Sequence, residues 1–456
     1  MHLPIFWRSS GLAALLLVSP LSAQELAEGG ADQAAAPTSE SYFVQADKVI
    51  VRPGKVLEPG AVLIRDGKIV AVGQDLEAPA EAQVLKGSVV CASFMDPWSS
   101  LGLTRQDLMD RGAKAPVRSV DGFDPANSLG PVREALQAGV LHARVQAGAR
   151  MPVGGQGAVV ALTESADAFQ AGAGVGANLN LGEDAIARIE AVDRLVSEIQ
   201  AGLKYAQDAA TYRAELAEWE AEIAKLEAKL DKGFKKAKKD REKKVKAAKE
   251  KGKEHKDKSH KDPKQPRQPK YDAEKEVFSR VATGEIPLVV QADRGSVLRE
   301  LLKALEPFDR LRLIIAGGTE AMGVAEHLAE RRIPVIVYPS PDGASQASVR
   351  RGRGLALAAE LDEAGVSVLI GSGGTTAARD LPLLAALSVG HGLDADKALH
   401  AITLGPARAF DTGDRLGSVQ RGRSADLLVL DGDPLSSSTR VLFALSAGRV
   451  VVATKE

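Results

Sequence analysis

The sequence predicts a mixed α/β fold: a (β/α)8 TIM barrel, a composite β-sandwich built from both termini, and an inserted helical, Lys-rich arm. Three observations predict it. Short β-rich segments with tight turns occur at both ends of the chain. Short apolar runs alternate with helical periodicity between them, which is typical of a barrel of parallel strands. A heptad-spaced helix followed by a Lys-rich tract interrupts that alternation.

The first 40 residues have the pattern of a signal peptide followed by a linker. The apolar run from Gly11 to Val18 follows Arg8 and precedes small residues ending at Ala23, so residues 1–23 are predicted to be a signal peptide. Residues 24–40 are rich in Ala, Gly, Glu and Ser without periodicity, which predicts a flexible linker. No later segment has the length of a membrane span. We therefore expect a periplasmic or secreted protein, and its one cysteine, Cys91, has no internal partner for a disulfide.

Residues 41–87 and 405–456 are predicted to form the composite β-sandwich. Asp66-Gly67 lies between two apolar runs and is a strong hairpin signal, and Ala447-Gly448 separates two further runs near the end of the chain. Isolated hairpins are only marginally stable in water, so the two β-rich ends are expected to share one core.

Residues 88–404 are predicted to form the barrel. Its candidate strands are the apolar runs Ser88 to Phe94, Val140 to Val145, Ala158 to Leu162, Ile286 to Gln291, Leu311 to Ala316, Pro334 to Tyr338 and Val366 to Ile370. A covering helix is expected from Val297 to Leu305, with Ser296 as its N-cap. His142 and Arg144 alternate on one face of a candidate strand, which fits either a functional pair inside the barrel or a satisfied pair in the core.

Residues 200–270 are predicted to be an insert. Six of its residues step by four and three in turn, the spacing of a coiled-coil seam: Tyr212, Leu216, Trp219, Ile223, Leu226 and Leu230. The tract from Lys232 to Lys270 mixes many lysines with acidic residues, which predicts a projecting helix or helical hairpin that runs into a disordered segment. Interleaved acids and scarce aromatics argue against nucleic-acid or polyanion binding there.

The segment Val89-Val90-Cys91-Ala92-Ser93-Phe94-Met95-Asp96-Pro97-Trp98-Ser99-Ser100 resembles the first barrel strand of the amidohydrolase superfamily, which ends in Asp-x-His-x-His. The hairpin from Gly60 to Gly73 resembles the family's amino-terminal sandwich. The segments from Ala401 to Ala407 and from Leu416 to Leu427 resemble its carboxy-terminal signature. The resemblance implies a TIM barrel that uses zinc or another divalent metal to hydrolyse non-peptide C–N bonds.

The resemblance also implies which residues of this chain occupy the family's metal site. They are Asp96, Trp98, Ser100, Gln291, Gly317 and Gly373. Trp98 and Ser100 stand where the family has the two histidines of its first strand, and only Asp96 matches the family. Because Trp and Gly supply no metal ligand and Ser and Gln are poor ones, we expect no bound metal and no other cofactor. These six residues are instead predicted to line a ligand pocket in the barrel mouth.

The glycine-rich loop at residues 371–376 has two interpretations: backbone amides that cradle an anion, or plain turn chemistry. Three functional hypotheses follow, and none names a catalytic residue. The first is an amidohydrolase-like pseudoenzyme that binds a small-molecule or peptide ligand. The second is an active amidohydrolase with rearranged metal ligands. The third is an interaction protein that works through the coiled-coil and Lys-rich insert; the oligomeric state is not predicted by any of them.

Overall fold

The computed structural model describes residues 41–104, 107, 114–147, 151–163, 170–181, 184–248, 264–339, 354–374 and 377–454. The predicted signal peptide and linker lie outside these ranges. Within them, no helix combines the length and the apolar composition that crossing a membrane requires.

The strands form two sheets of eight strands each. In chain order they are β1 (Ser41–Arg52), β2 (Lys55–Leu57), β3 (Gly60–Arg65), β4 (Lys68–Gly73), β5 (Gln83–Ala92), β6 (Phe94–Ser99), β7 (Val140–Val145), β8 (Val153–Ala161), β9 (Gln170–Asn178), β10 (Leu288–Ala292), β11 (Leu313–Gly317), β12 (Val335–Val337), β13 (Val368–Ile370), β14 (Leu427–Leu430), β15 (Val441–Ser446) and β16 (Arg449–Ala453).

The composite sheet draws its strands from both ends of the chain. Its order is β16-β15-β14-β5-β1-β3-β4, with β2 paired to β1. Strand β5 pairs parallel with β1 and antiparallel with β14, so backbone hydrogen bonds join the two ends directly. The hairpin at Asp66-Gly67 has φ values of 49° and 74°, the positive φ at both positions that a type I′ turn requires. Because β5 stays in this sheet through Ala92, the barrel begins at Phe94 and not at the predicted residue 88.

The second sheet is the predicted barrel, in the order β13-β12-β11-β10-β9-β8-β7-β6. Its strands run in one direction except β8, which is antiparallel to both neighbours. The connections that flank β8 are short, whereas a parallel pair needs a crossover of a dozen or more residues. The TIM-barrel architecture is confirmed, with a β-meander over β7, β8 and β9 in place of two β/α units.

The barrel is covered by helices, most of them short. They are α1 (Leu129–Gln137), α2 (Ala185–Ala248), α3 (Ala273–Ala282), α4 (Gly295–Ala304), α5 (Ala325–Glu330), α6 (Leu357–Glu363), α7 (Leu381–Gly390), α8 (Ala395–Ala401) and α9 (Leu404–Ala409). The predicted N-cap of α4 is wrong: the helix starts after Arg294, and the amide of Gly295 donates to Glu320 Oε2 at 2.8 Å. A carboxylate from another loop thus satisfies the helix end that Ser296 was expected to cap.

Helix α2 contains the predicted arm. At 64 residues it is about 96 Å long. Its first part covers the barrel, with Val192, Leu195 and Ile199 fully buried. At Gly202 it crosses α3 so closely that a Cβ there would lie 2.4 Å from the carbonyl carbon of Phe278. The absence of a side chain at Gly202 therefore lets the two helices pack before α2 continues away from the barrel.

The predicted projecting helix includes the first part of the Lys-rich tract, because residues 232–248 continue α2. Lys, Glu and Ala are strong helix formers, so a helix needs no apolar seam to continue through them. Residues 249–263 lie outside the described ranges. The chain returns along the arm, where Trp219 and Arg267 line one shallow cleft. The coiled coil itself stays a prediction.

Candidate functional site

Asp96 closes the barrel between its first and last strands. It is the third residue of β6 and is fully buried. Its Oδ1 accepts hydrogen bonds from the backbone amides of Trp98 and Ser372, both at 3.1 Å. Its Oδ2 accepts from the hydroxyl of Ser372. A backbone bond from the amide of Gly373 to the carbonyl of Trp98, at 3.2 Å, completes the junction.

The pKa of the Asp96 carboxyl group is unusually high for an aspartate. Burial raises its pKa from 3.8 to about 6, although the hydrogen bonds from Ser372 and Trp98 oppose the rise. Removing a carboxylate from water disfavours its charged form more than these donors favour it. Asp96 therefore exchanges its proton near neutral pH.

Arg144 is a fully buried cation inside the barrel. It lies on β7, where its Nε donates to the carbonyl of Ala173 at 3.0 Å and its Nη2 to Gln146 Oε1 at 2.6 Å. Its Cζ is 5.2 Å from the ring centroid of Trp98 and 5.1 Å from that of Phe410, within the range of cation–π attraction. Burial lowers the pKa of Arg144 to about 9, so the guanidinium is still charged at neutral pH.

Glycines on the neighbouring strands make room for these side chains. A Cβ at Gly157 would lie 2.6 Å from Arg144 Nη2, and one at Gly176 would lie 2.5 Å from Gln146 Cδ. Real Cβ atoms do not approach other heavy atoms this closely, so any other residue at either position would displace the Arg144–Gln146 pair.

Tyr338 follows β12 and lies on the inner face of the barrel. Its ring packs against the interior apolar cluster that contains Trp98 and Phe410. Its hydroxyl oxygen is buried and has no hydrogen-bond partner among the described residues. Burial raises the pKa of Tyr338 well above its ordinary value, with smaller contributions from Asp293 and Asp96, so the phenol is a proton donor at neutral pH. Sequence reasoning missed this residue, although it lies two positions after the interior residue Ile336 on the same strand face.

The predicted pocket residues do not all lie together. Asp96, Trp98 and Gly373 meet at the barrel closure, where a Cβ on Gly373 would lie 3.4 Å from the Tyr338 ring. Ser100 follows directly after β6 and is half-buried. Gln291 is half-buried on β10, two residues after the interior residue Val289 and therefore on the inner face.

Gly317 differs in register from Gln291. It pairs with Ala292, one position later, and its φ is +88°. A Cβ at Gly317 would lie 2.5 Å from Asp293 Oδ1. That carboxylate already accepts bonds from Thr319 Oγ1 at 2.6 Å and from Asn180 Nδ2 at 2.7 Å. Gly317 thus makes space for a structural carboxylate network that the sequence did not reveal.

The pair of His142 and Arg144 is not one unit. His142 is buried with its Nε2 3.6 Å from Asp426 Oδ1 of the composite domain, while Arg144 lies among the aromatic rings of the barrel interior. Burial lowers the pKa of His142 more than Asp426 raises it, which favours a neutral imidazole in the core. The alternation on β7 was correct, but the two side chains have different neighbours.

The anion-cradle interpretation of the glycine-rich loop does not fit its first amides. The amide of Ser372 donates to Asp96 and that of Gly373 to the carbonyl of Trp98, so neither is free for a ligand. Thr375 and Thr376 lie outside the described residues. The loop serves, in its described part, to close the barrel.

The side chains at this site do not fit the divalent metal that the family resemblance implies. Over the described ranges, no group of three or more His, Cys, Asp or Glu side chains is placed to hold a metal ion. Asp96 is the one carboxylate that matches the family, and both of its oxygens accept hydrogen bonds from Trp98 and Ser372. The buried guanidinium of Arg144 lies 5.2 Å from the ring centroid of Trp98, and its charge repels cations.

Solved structures share this fold. An amidohydrolase from Thermotoga maritima MSB8 matches with a TM-score of 0.67 and 21% identity, over 91% of this chain and 100% of that chain. A 5-methylcytosine deaminase from Klebsiella pneumoniae matches with a TM-score of 0.53 and 14% identity, over 91% of this chain and 98% of that one. At these identities the likeness establishes the fold alone.

Sequence comparisons identify the family. A curated N-substituted formamide deformylase from Arthrobacter pascens is 38% identical over 78 residues, which is 17% of this chain and only 14% of that protein. The family model of the Amidohydrolase family matches residues 131–454, well over half of the chain. The chain therefore belongs to the amidohydrolase family.

Proposed function

We propose that this protein is an exported member of the amidohydrolase family that binds a small-molecule or peptide ligand in its barrel mouth and has lost metal-dependent hydrolysis. The export part rests on the apolar run and small-residue site within residues 1–23. The binding part rests on the barrel interior, where buried polar groups replace the expected metal ligands.

One observation carries the proposal: the guanidinium of Arg144 lies 5.2 Å from the ring of Trp98, the residue at the place of the family's first histidine. A divalent ion about 5 Å from that charge would be repelled by roughly 7 kcal/mol at an effective dielectric constant of about 20. No described carboxylate cluster offsets this repulsion. The guanidinium of Arg144 thus supplies a positive charge inside the barrel, where the family would have a metal ion.

The chemical consequence concerns water activation. A catalytic metal lowers the pKa of its bound water from about 15.7 to about 7 and polarises the substrate carbonyl. Asp96 is a weak substitute, because its two oxygens accept three hydrogen bonds and leave little basic capacity for a water molecule. Binding without turnover is therefore the function that the residues support best.

Hydrolysis of C–N bonds is the second candidate, and two observations favour it. The short likeness to an N-substituted formamide deformylase fits that chemistry. The pKa of Asp96, at about 6, is in the range of a general base. In this alternative, Asp96 would deprotonate Ser372 or a water molecule next to it.

Metal content and turnover together test the proposal. Full-length protein is stripped of metal, equilibrated with zinc or nickel and desalted. Its metal content per chain is then measured by inductively coupled plasma mass spectrometry. The same samples are assayed for hydrolysis of an N-substituted formamide, a cyclic amide and a dipeptide. We expect far less than one ion per chain and no turnover above that of the Asp96→Asn variant. One tightly held ion per chain, or turnover that Asp96→Asn abolishes, would contradict the proposal.

A further inference from the structure

One nitrogen of the Arg144 guanidinium is not used in any hydrogen bond within the described residues. Its Nε and Nη2 donate to Ala173 and Gln146, but its Nη1 is buried and has no partner among the described residues. A buried charged donor without an acceptor is costly, because folding removes its water and supplies nothing in return. The side chain is nevertheless held firmly, between the rings of Trp98 and Phe410 at about 5 Å and under Gly157.

Tyr338 provides a second unused donor in the same interior. Its ring packs on the cluster that contains Trp98 and Phe410, the two rings next to the Arg144 guanidinium. Its hydroxyl is also buried and without a partner among the described residues. The charge of each group also contributes to the pKa shift of the other. The barrel interior thus presents two fixed donors, and the described residues supply no acceptor for either.

The ligand that fits two donors and one positive charge is a single anionic group. We propose that the barrel interior binds the carboxylate of its ligand through Arg144 Nη1 and the hydroxyl of Tyr338. This assignment rests on the proposed ligand-binding function and names the chemical class of the ligand. A carboxylate is monovalent and has two acceptor oxygens, one for Arg144 Nη1 and one for the Tyr338 hydroxyl. The carboxyl groups of Asp96 and Asp293, which both act on Tyr338, repel a dianion about twice as strongly as a monoanion.

The surroundings define what the rest of the ligand meets. Trp98 and Phe410 form apolar walls beside Arg144. A Cβ at Gly157 would lie 2.6 Å from Arg144 Nη2 and one at Gly373 would lie 3.4 Å from the Tyr338 ring, so the backbone approaches both donors closely. Close packing of this kind favours a compact acid.

The test uses acetate as the probe and acetamide as its neutral isostere, with binding to full-length protein measured by saturation-transfer NMR and by thermal shift. We expect saturable acetate binding and no acetamide binding. Tyr338→Phe should weaken acetate about tenfold, the loss of one hydrogen bond to a charged group. Tyr338→Phe should also fold at least as well as the wild type, because it removes only a hydroxyl that finds no partner in the described part of the chain. Tyr271→Phe, at a tyrosine that is 72% exposed, is the matched control and should bind acetate like the wild type.

Three results would overturn the assignment: no saturable acetate binding, equal binding of acetamide, or equal acetate affinity in Tyr338→Phe. Metal content measured on the same sample separates the two proposals. A metal-free protein that fails to bind acetate refutes the carboxylate assignment alone. One tightly held ion per chain refutes the proposed function and this assignment with it.

Discussion

Replacing Asp96 by Asn should stabilise the protein at neutral pH, although it removes a buried residue at the barrel closure. Asn keeps an oxygen that accepts from the amides of Trp98 and Ser372. Its amide group can donate to the Ser372 hydroxyl, whose own proton then goes to the carbonyl of Gly374, 3.1 Å away. The hydrogen-bond network therefore survives without the buried charge.

The magnitude follows from the pKa of Asp96, which folding raises from 3.8 to about 6. The folded protein holds this proton more tightly than the unfolded chain, so the stabilisation is fully present below about pH 4 and is lost as the pH rises to about 6. About two pKa units correspond to roughly 3 kcal/mol of unfolding free energy. Asp96→Asn has no proton to lose, so its advantage over the wild type should grow to about 3 kcal/mol by pH 7.

Urea unfolding of both proteins at intervals from pH 4 to pH 8 measures this difference. The two stabilities should be similar near pH 4 and diverge as the pH rises. Asp47→Asn, at an exposed position of β1, is the control and should run parallel to the wild type. If Asp96→Asn is the less stable protein at pH 7, or if its profile parallels that of the wild type, the carboxylate is a stabilising anion and our reasoning about the site is refuted.

Two further substitutions test the packing around the site. Gly157→Ala places a Cβ 2.6 Å from Arg144 Nη2 and should cost about 1–3 kcal/mol in thermal unfolding, whereas Gly172→Ala, with no atom within 4 Å, should be close to neutral. Equal effects would contradict a tightly held guanidinium. Gly202→Ala should lower the melting temperature despite its better helix propensity, because its Cβ would meet the backbone of Phe278 at 2.4 Å; a higher melting temperature would show that the two helices do not cross there.

Local patterns in the sequence predicted much of the fold. The run from Val140 to Val145 is strand β7 with the same bounds, and the Asp66-Gly67 hairpin has the predicted turn. Strand β9 was missed because it is built from Gly and Ala, which have low strand propensity. At least one of those glycines is required by a contact with a residue distant in sequence, because a Cβ at Gly174 would lie 2.2 Å from the carbonyl oxygen of Pro287. The demand for glycine there arises from packing, which no local pattern shows.

The site was predicted only in part for the same reason. The family resemblance located Asp96 and Trp98, and strand alternation located Arg144. Neither signal could indicate that Ser372, 276 positions from Asp96, donates to that carboxylate. Nor could the sequence show that the hydroxyl of Tyr338 has no partner within the described ranges, since that depends on every neighbour brought together by the folded barrel.

The most direct test of the central claim is anomalous diffraction at the zinc absorption edge, from crystals of the full-length protein grown with zinc. We predict electron density for the Arg144 guanidinium beside the rings of Trp98 and Phe410, and no anomalous peak inside the barrel. An anomalous peak within bonding distance of Asp96 or Gln291, with Arg144 displaced from the rings, would contradict the account.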